Sequence, residues 1–211
     1  PGTKVDGHTF VGTAEQAGAV AAVVERVVDV PLPQIVVTDA HVSVAHLASL
    51  FVGDPSDNLR LVGITGTNGK STTAWLVRWI LADESPTAAL GTRGTVSIDG
   101  ELGPATLTTP DPIELAKTLA ELRDNGVVSV ALEVSSHALD QHRTDGLLFD
   151  AIAYTSFSRE HLDYHSDLES YRAAKLRLTS LLKTDGICVV NNDEPAWSGV
   201  APDNATTLRY G

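Results

Sequence analysis

Cysteine is nearly missing: Cys188 stands alone among 211 residues. An internal disulfide is impossible, so a reducing compartment, the cytoplasm, is the expectation. Methionine is absent altogether, the initiator included, while the chain opens on Pro1-Gly2 and stops on Leu208-Arg209-Tyr210-Gly211. Both ends read as cuts within a longer chain. No apolar run reaches the roughly 18 residues of a membrane span, and Pro1-Gly2-Thr3-Lys4 carries no apolar signal-peptide core, so no membrane insertion is expected. Positive charge is scarce too: 15 Lys+Arg against 27 Asp+Glu leave a net charge of −12. Such a field repels nucleic-acid backbones and anionic lipid, and neither is an expected partner. Internal repeats, low-complexity tracts and long charge blocks are also lacking.

What is there is an ordinary globular composition, 43% hydrophobic and 20% charged, able to bury a sizeable core. Residues Thr13 to Asp29 read as a helix, followed by a short strand at 35–38. Asp39 is placed to cap a helix that ends before Gly53-Asp54-Pro55, and the stretch Gly53 to Asn58 reads as a linker. From Leu59 buried strands alternate with helices. Strands are expected at 60–65, in AALG and TVSI, at 127–134, at 151–156 and at 187–190. Helices are expected over 70–84, with Trp75, Leu76, Trp79 and Ile80 at helical spacing, over PIELAKTLAELRDNG closed by Gly126, and from about Leu168 to Leu182. This alternation predicts an α/β fold with a mostly parallel sheet covered on both faces.

Gly66-Thr67-Asn68-Gly69-Lys70-Ser71-Thr72 joins a strand end to a helix start. Glycines let backbone N–H groups converge on an anion, the helix N-terminus adds partial positive charge, and Lys70 reaches terminal phosphates. Ser71 offers a hydroxyl to Mg²⁺. The spacing is a tighter variant of the common phosphate loop: the position five before Gly69 is Ile64, and Gly63 falls one too early. Generic GTPases and kinases are thereby disfavoured. Glu133 ends the strand over 127–134, where a carboxylate suits Mg²⁺ ligation, the alternative being a cap for the next helix. Past the strand at 151–156, His161 is the candidate for a second metal-side ligand, against the plainer reading of a hydrogen-bonded histidine. Arg159, Glu160, Asp163 and His165 read as solvated surface. By composition alone Lys175 is a surface lysine.

Seven ordered blocks, VDGHTF (5–10), GITGTNGKSTT (63–73), LTTPDP (107–112), ALEVSSHALDQHR (131–143), YTSFSREHLDYH (154–165), YRAAKLRL (171–178) and NNDE (191–194), together resemble the Mur ligase family. The TTPDP and EVSSHAL blocks point to its tripeptide-synthetase branch. That resemblance implies part of a small N-terminal UDP-substrate domain over 1–57, part of a P-loop-like central ATPase domain over 58–211, and no C-terminal amino-acid-binding domain in this chain. It implies ATP and Mg²⁺ as cofactors, with UDP-MurNAc-dipeptide and a diamino acid as substrates. Phosphorylation of a carboxylate by ATP would be followed by amine attack on the acyl phosphate. Gly66 to Thr72 would cradle ATP, and Ser71, Glu133, His161 and a carbamylated Lys175 would hold metal. Thr108, Thr109, Ser135, Gln141 and Arg143 match positions that grip the UDP-MurNAc-dipeptide. Ser156 stands where the family usually has Asn, Glu160 where it has Asp, and Ser71 where Thr is frequent. Folylpolyglutamate synthetase shares the loop and the lysine, but the TTPDP and EVSSHALDQHR blocks argue against it. A nucleotide-binding module without turnover is the reading from another class.

Overall fold

The structure is a computed structural model that describes residues 5–97, 100–101, 106–200, 202–203 and 205–211. Contacts divide the chain into two compact units, Pro1–Val44 and Ala45–Gly211. In the first, a short 3-10 turn at Gly7–Phe10 leads into helix α1 (Val11–Gln16), and strands β1 (Ala22–Val24) and β2 (Gln34–Val36) pair in parallel. The helix expected over Thr13 to Asp29 is therefore only its first part. Gly18, at φ +95°, ends it, and the β-branched residues that follow extend into β1. Val11, Val24 and Leu32 form this unit's small core.

Asp39 caps helix α2 (Ala40–Phe51) as expected, its Oδ1 accepting from His41 N at 2.8 Å and Val42 N at 3.1 Å. The expected linker is not loose chain. It holds helix α3 (Pro55–Asn58), whose Pro55 and Ser56 are buried; Ser56 Oγ accepts from Leu148 N and Ser56 O from Lys183 Nζ. Residues 45–58 accordingly group with the large unit, and the division falls earlier than the glycine and proline signals indicate.

The large unit continues as β3 (Arg60–Thr65), α4 (Lys70–Leu81), β4 (Thr87–Gly91), β5 (Gly94–Ser97), β6 (Gly100–Glu101), α5 (Pro112–Asp124), β7 (Ser129–Glu133), α6 (Ser136–Asp140), β8 (Phe149–Tyr154), α7 (Leu168–Leu176), β9 (Leu182–Asn191) and β10 (Thr206–Tyr210). Ile98, expected in the TVSI strand, lies outside the described residues. The sheet runs β10-β9-β8-β3-β7-β4-β5-β6, parallel except where β5 meets β4 and β6. Apolar side chains with no exposure, among them Leu61, Val130, Leu132, Phe149 and Ile152, fill its faces, as a doubly covered parallel sheet requires. Asp111 caps α5 through Ile113 N and Glu114 N, with Pro112 at its first position and Gly126 at φ +83° beyond its end.

Two helices of the large unit differ from expectation. α4 turns Ala74 and Val77 to the sheet, against Ile64 and Ala131, whereas Leu76, Trp79 and Ile80 lie in solvent, Trp79 being 70% exposed. Small residues on the inner face bring the helix close to β7 and β4, so the apolar spacing marks the outer face. The helix expected to reach Leu182 leaves α-geometry at Arg177, and a 3-10 turn over Arg177–Leu181 feeds β9.

Candidate phosphate and metal site

β3 lies between β7 and β8, with Ile64 paired to Glu133 and Thr65 to Tyr154. The chain leaving β3 thus emerges between two neighbouring strand ends, where open parallel sheets receive ligands. Gly66 makes the turn at φ +148°; a Cβ there would collide with Thr155 Oγ1. β8 clamps the loop from the other side. Thr67 N donates to Ser156 O at 2.7 Å, Asn68 N donates to Ser156 Oγ at 3.0 Å, and Thr155 Oγ1 donates to Asn68 O at 2.7 Å. Ser156, at the family's usual Asn, therefore shapes the loop.

Gly69 begins α4 at φ +87°, and no side chain caps it. The first-turn N–H groups of a helix have no intrahelical partner, so this start is left open to an anion. Asn68, Gly69 and Thr72 are exposed there and Lys70 and Ser71 half-buried. Lys70 bends back over the loop, its Nζ donating to Thr67 O at 2.8 Å and Gly66 O at 3.0 Å. Burial lowers its pKa, while the nearby carboxylates of Glu133 and Glu160 pull it upward.

Glu133 is 1% exposed at the tip of β7. Its Oε2 accepts from Ser71 Oγ at 2.9 Å and Thr92 Oγ1 at 3.2 Å, and its Oε1 from Thr92 N at 3.1 Å. The capping alternative is excluded, because Ser135 caps α6 through Ala138 N. Gly91 makes room for this carboxylate, since a Cβ there would overlap it. A hydroxyl and a carboxylate already in contact are a hard-oxygen pair of the kind Mg²⁺ takes, so the residues fit that ion.

Lys175 is not a surface lysine: it is 1% exposed, and its Nζ donates to Gly66 O at 2.8 Å with the Tyr171 ring 4.5 Å away. The two lysine nitrogens thus share one loop carbonyl. Burial first, then the charge of Lys70, bring the Lys175 pKa down to about 7 against the pull of Glu160.

His161 adopts a left-handed backbone, φ +56°, unusual for a non-glycine residue and frequent at functional sites. Its ring lies 4.9 Å from that of His137 and 6.1 Å from that of Tyr171, whose hydroxyl is 3.1 Å from Thr67 Oγ1. His161 is thus linked to the loop through Tyr171, with no hydrogen bond to Ser71 or Glu133 among the described residues. Nor do three or more His, Cys, Asp or Glu side chains converge on one metal position among them. His165 departs from expectation: it is buried, with Nε2 3.0 Å from Ser136 Oγ. Burial and the neighbouring His161 and His165 lower the His137 pKa.

The five residues matched to substrate binding sit on the β7 side. Thr108 Oγ1 is 3.0 Å from Thr92 Oγ1. Thr109 is fully buried, donating to Glu133 O at 2.8 Å and accepting from Ser135 N at 3.1 Å, so its hydroxyl holds the strand end. Ser135 is engaged in its cap. Arg143 Nη1 donates to Thr109 O at 2.8 Å and its Nε to Gln141 Oε1 at 3.0 Å. Residues that pattern reading passed over are Thr92, Thr155, Tyr171 and His137. Thr155 follows β8 directly, and its place at a strand end beside the loop is the signal that finds it.

A mostly parallel sheet whose central strand opens into an uncapped glycine–lysine helix start, beside a buried carboxylate, defines a phosphate-loop α/β domain. The model of the Mur ligase middle domain matches residues 64–211. The chain belongs to the Mur ligase family. It is 43% identical over 202 residues to the UDP-N-acetylmuramoyl-L-alanyl-D-glutamate--2,6-diaminopimelate ligase of Geobacter sulfurreducens, covering 92% of this chain and 40% of that protein. It is 40% identical over 215 residues to the UDP-N-acetylmuramyl-tripeptide synthetase of Deinococcus radiodurans, covering 97% and 43%. Among solved structures, a UDP-N-acetylmuramoyl-L-alanyl-D-glutamate--2,6-diaminopimelate ligase superposes at TM-score 0.82 with 30% identity, over 96% of this chain and 42% of that one. The chain spans about two fifths of the length of these relatives. Folylpolyglutamate synthase of Mycobacterium tuberculosis, at 16% identity and TM-score 0.63 over 80% of this chain and 46% of its own, shares the fold. No helix among the described residues is long and apolar enough to cross a membrane.

Proposed function

We propose that the full-length protein carrying this chain is an ATP-dependent amide ligase. It adds a diamino acid, as third residue, to UDP-MurNAc-L-Ala-D-Glu in peptidoglycan synthesis. The observation that carries the reading is the uncapped α4 start set beside Glu133, with the buried Lys175 bonded to the same loop at Gly66 O. The names of the relatives supply the substrate class. The lone buried Cys188 fits a cytoplasmic enzyme.

Carboxylate oxygen is a poor leaving group, and phosphoryl transfer requires mainly positioning and charge neutralisation. The α4 N-terminus receives the triphosphate, and Lys70 leaves the loop carbonyls to meet it. A carboxylate oxygen of the UDP-MurNAc-dipeptide bonds to the γ-phosphorus as the bond to ADP breaks. The amine nitrogen then bonds to the acyl carbon, phosphate departs, and the nitrogen gives up a proton. Ser71 and Glu133, joined by His161 and a carbamylated Lys175, would hold Mg²⁺. Bound there, Mg²⁺ supplies neutralisation of phosphate charge. With its pKa near neutrality, Lys175 has a neutral amine fraction that bonds to CO₂ and releases a proton, turning a buried cation into an anion. Thr108, Gln141 and Arg143 face the UDP-MurNAc-dipeptide, Arg143 meeting its anionic oxygens, with Thr109 and Ser135 supporting the strand end behind them.

The test is ADP release by the full-length protein. Release should require UDP-MurNAc-L-Ala-D-Glu and a diamino acid together. Nucleotide binding without release, or release driven by a folate substrate, overturns the assignment.

A further inference from the structure

Tyr164 lies in the segment after β8, three residues beyond His161, yet its hydroxyl reaches the other side of the site. Oη donates to Asp140 Oδ2 at 2.7 Å and accepts from Gln141 Nε2 at 3.1 Å. Gln141 follows α6, and His142 next to it is left-handed at φ +58°, which folds Gln141 and Arg143 toward each other. Gln141 Oε1 takes N–H groups from both Nε and Nη2 of Arg143, and Nη1 of Arg143 donates to Thr109 O. Each polar atom in this series has one role. The Gln141 carbonyl can face Arg143 only if its amide faces away, and Tyr164 Oη accepts that amide because its own proton is committed to Asp140. The guanidinium is held along two edges, while N–H groups remain for an anion. The phenol ring is placed independently of its hydroxyl, 4.1 Å from the His137 ring.

We propose that Tyr164 is a positioning residue for the UDP-MurNAc-dipeptide site: through Gln141 it aims Arg143, so the segment carrying His161 also sets the substrate's anion contact. This rests on the reading of Arg143 as a substrate ligand. Tyr164 touches no reacting atom and acts only through Gln141.

Steady-state kinetics of the full-length protein, with UDP-MurNAc-L-Ala-D-Glu, ATP and diaminopimelate varied in turn, tests it. Tyr164→Phe keeps the ring against His137 and loses the hydroxyl. It should raise KM for the UDP-MurNAc-dipeptide about tenfold, as loss of a bond that orients a charged group does. The KM for ATP, kcat and Tm should stay at wild-type values. Because Tyr164 acts through Arg143, the double variant Tyr164→Phe/Arg143→Ala should match Arg143→Ala alone. A wild-type KM in Tyr164→Phe beside a raised KM in Arg143→Ala overturns the proposal alone. Multiplicative penalties in the double variant, or equal losses for ATP and the dipeptide, do the same. An unchanged KM in Arg143→Ala overturns the substrate-site reading, and the proposal with it.

Discussion

Replacing Lys175 by methionine keeps an unbranched side chain, one atom shorter, and removes its charge. Folding takes the Lys175 pKa from 10.5 to about 7, with burial the main cause. Unfolding restores the ordinary value. Between those two pH values the unfolded chain binds more protons than the folded one, so stability rises with pH; below about pH 7 both forms are protonated and the penalty is complete and constant. The whole gap corresponds to about 5 kcal/mol. Roughly half of it, about 2–3 kcal/mol, is recovered between pH 6 and pH 9. The Gly66 carbonyl contact offsets part of the burial cost at every pH, and losing it shifts the Lys175→Met curve without tilting it. Urea unfolding of both proteins in CO₂-free buffer, across pH 6 to 9, measures the difference, and histidine titrations common to the two cancel. The wild-type curve should climb relative to the variant by that amount. Parallel curves would refute the claim that a neutral amine is favoured in this pocket.

Lys70→Ala should abolish nucleotide-dependent turnover of the full-length protein; ADP release at the wild-type rate would remove the loop assignment. Lys175→Ala should be inactive and partly restored by short-chain carboxylates, and full activity without them would dispose of the carbamate role. Gly91→Ala should destabilise by about 1–3 kcal/mol, the range for forcing extra atoms into packed surroundings, and should weaken Mg²⁺-dependent nucleotide binding as Glu133 is displaced. Thermal melts and nucleotide titration check the two effects. Asp39→Ala should cost about 1 kcal/mol by leaving His41 N and Val42 N without their acceptor, read as a lower unfolding midpoint.

The parallel sheet and the loop were legible because their signals are local. Apolar runs bounded by glycine mark β3 and β7, and strand-then-helix context makes Gly66 to Thr72 more than a glycine-rich turn. Asp39 announced its helix by side-chain chemistry alone, whereas the Asp111 cap emerges only in the structure. Other features depend on partners distant in the chain. Lys175 is buried because α7 sets it beside Gly66, and no helical period reveals that. The apolar residues of α4 mislead because proximity to the sheet selects Ala74 and Val77, leaving the bulkier side chains outside. Valines after Gly18 suit a helix or a strand by composition, and pairing with β2 settles them as strand. Tyr164 and His165 could not be told apart by spacing: one reaches across to Gln141, the other is enclosed.

The three tryptophans occupy three different surroundings, which equips the protein with its own optical reporters. Trp197 is fully buried, ring-packed with Tyr154 and Phe157, and its Nε1–H donates to Thr155 O at 2.9 Å. Trp75 lies beneath the Arg93 guanidinium, and Trp79 faces solvent. Acrylamide should therefore extinguish Trp79 emission first and spare Trp197. Since Thr155 also grips Asn68, the protected, blue-shifted component is the fluorescence channel that senses rearrangement of the anion loop.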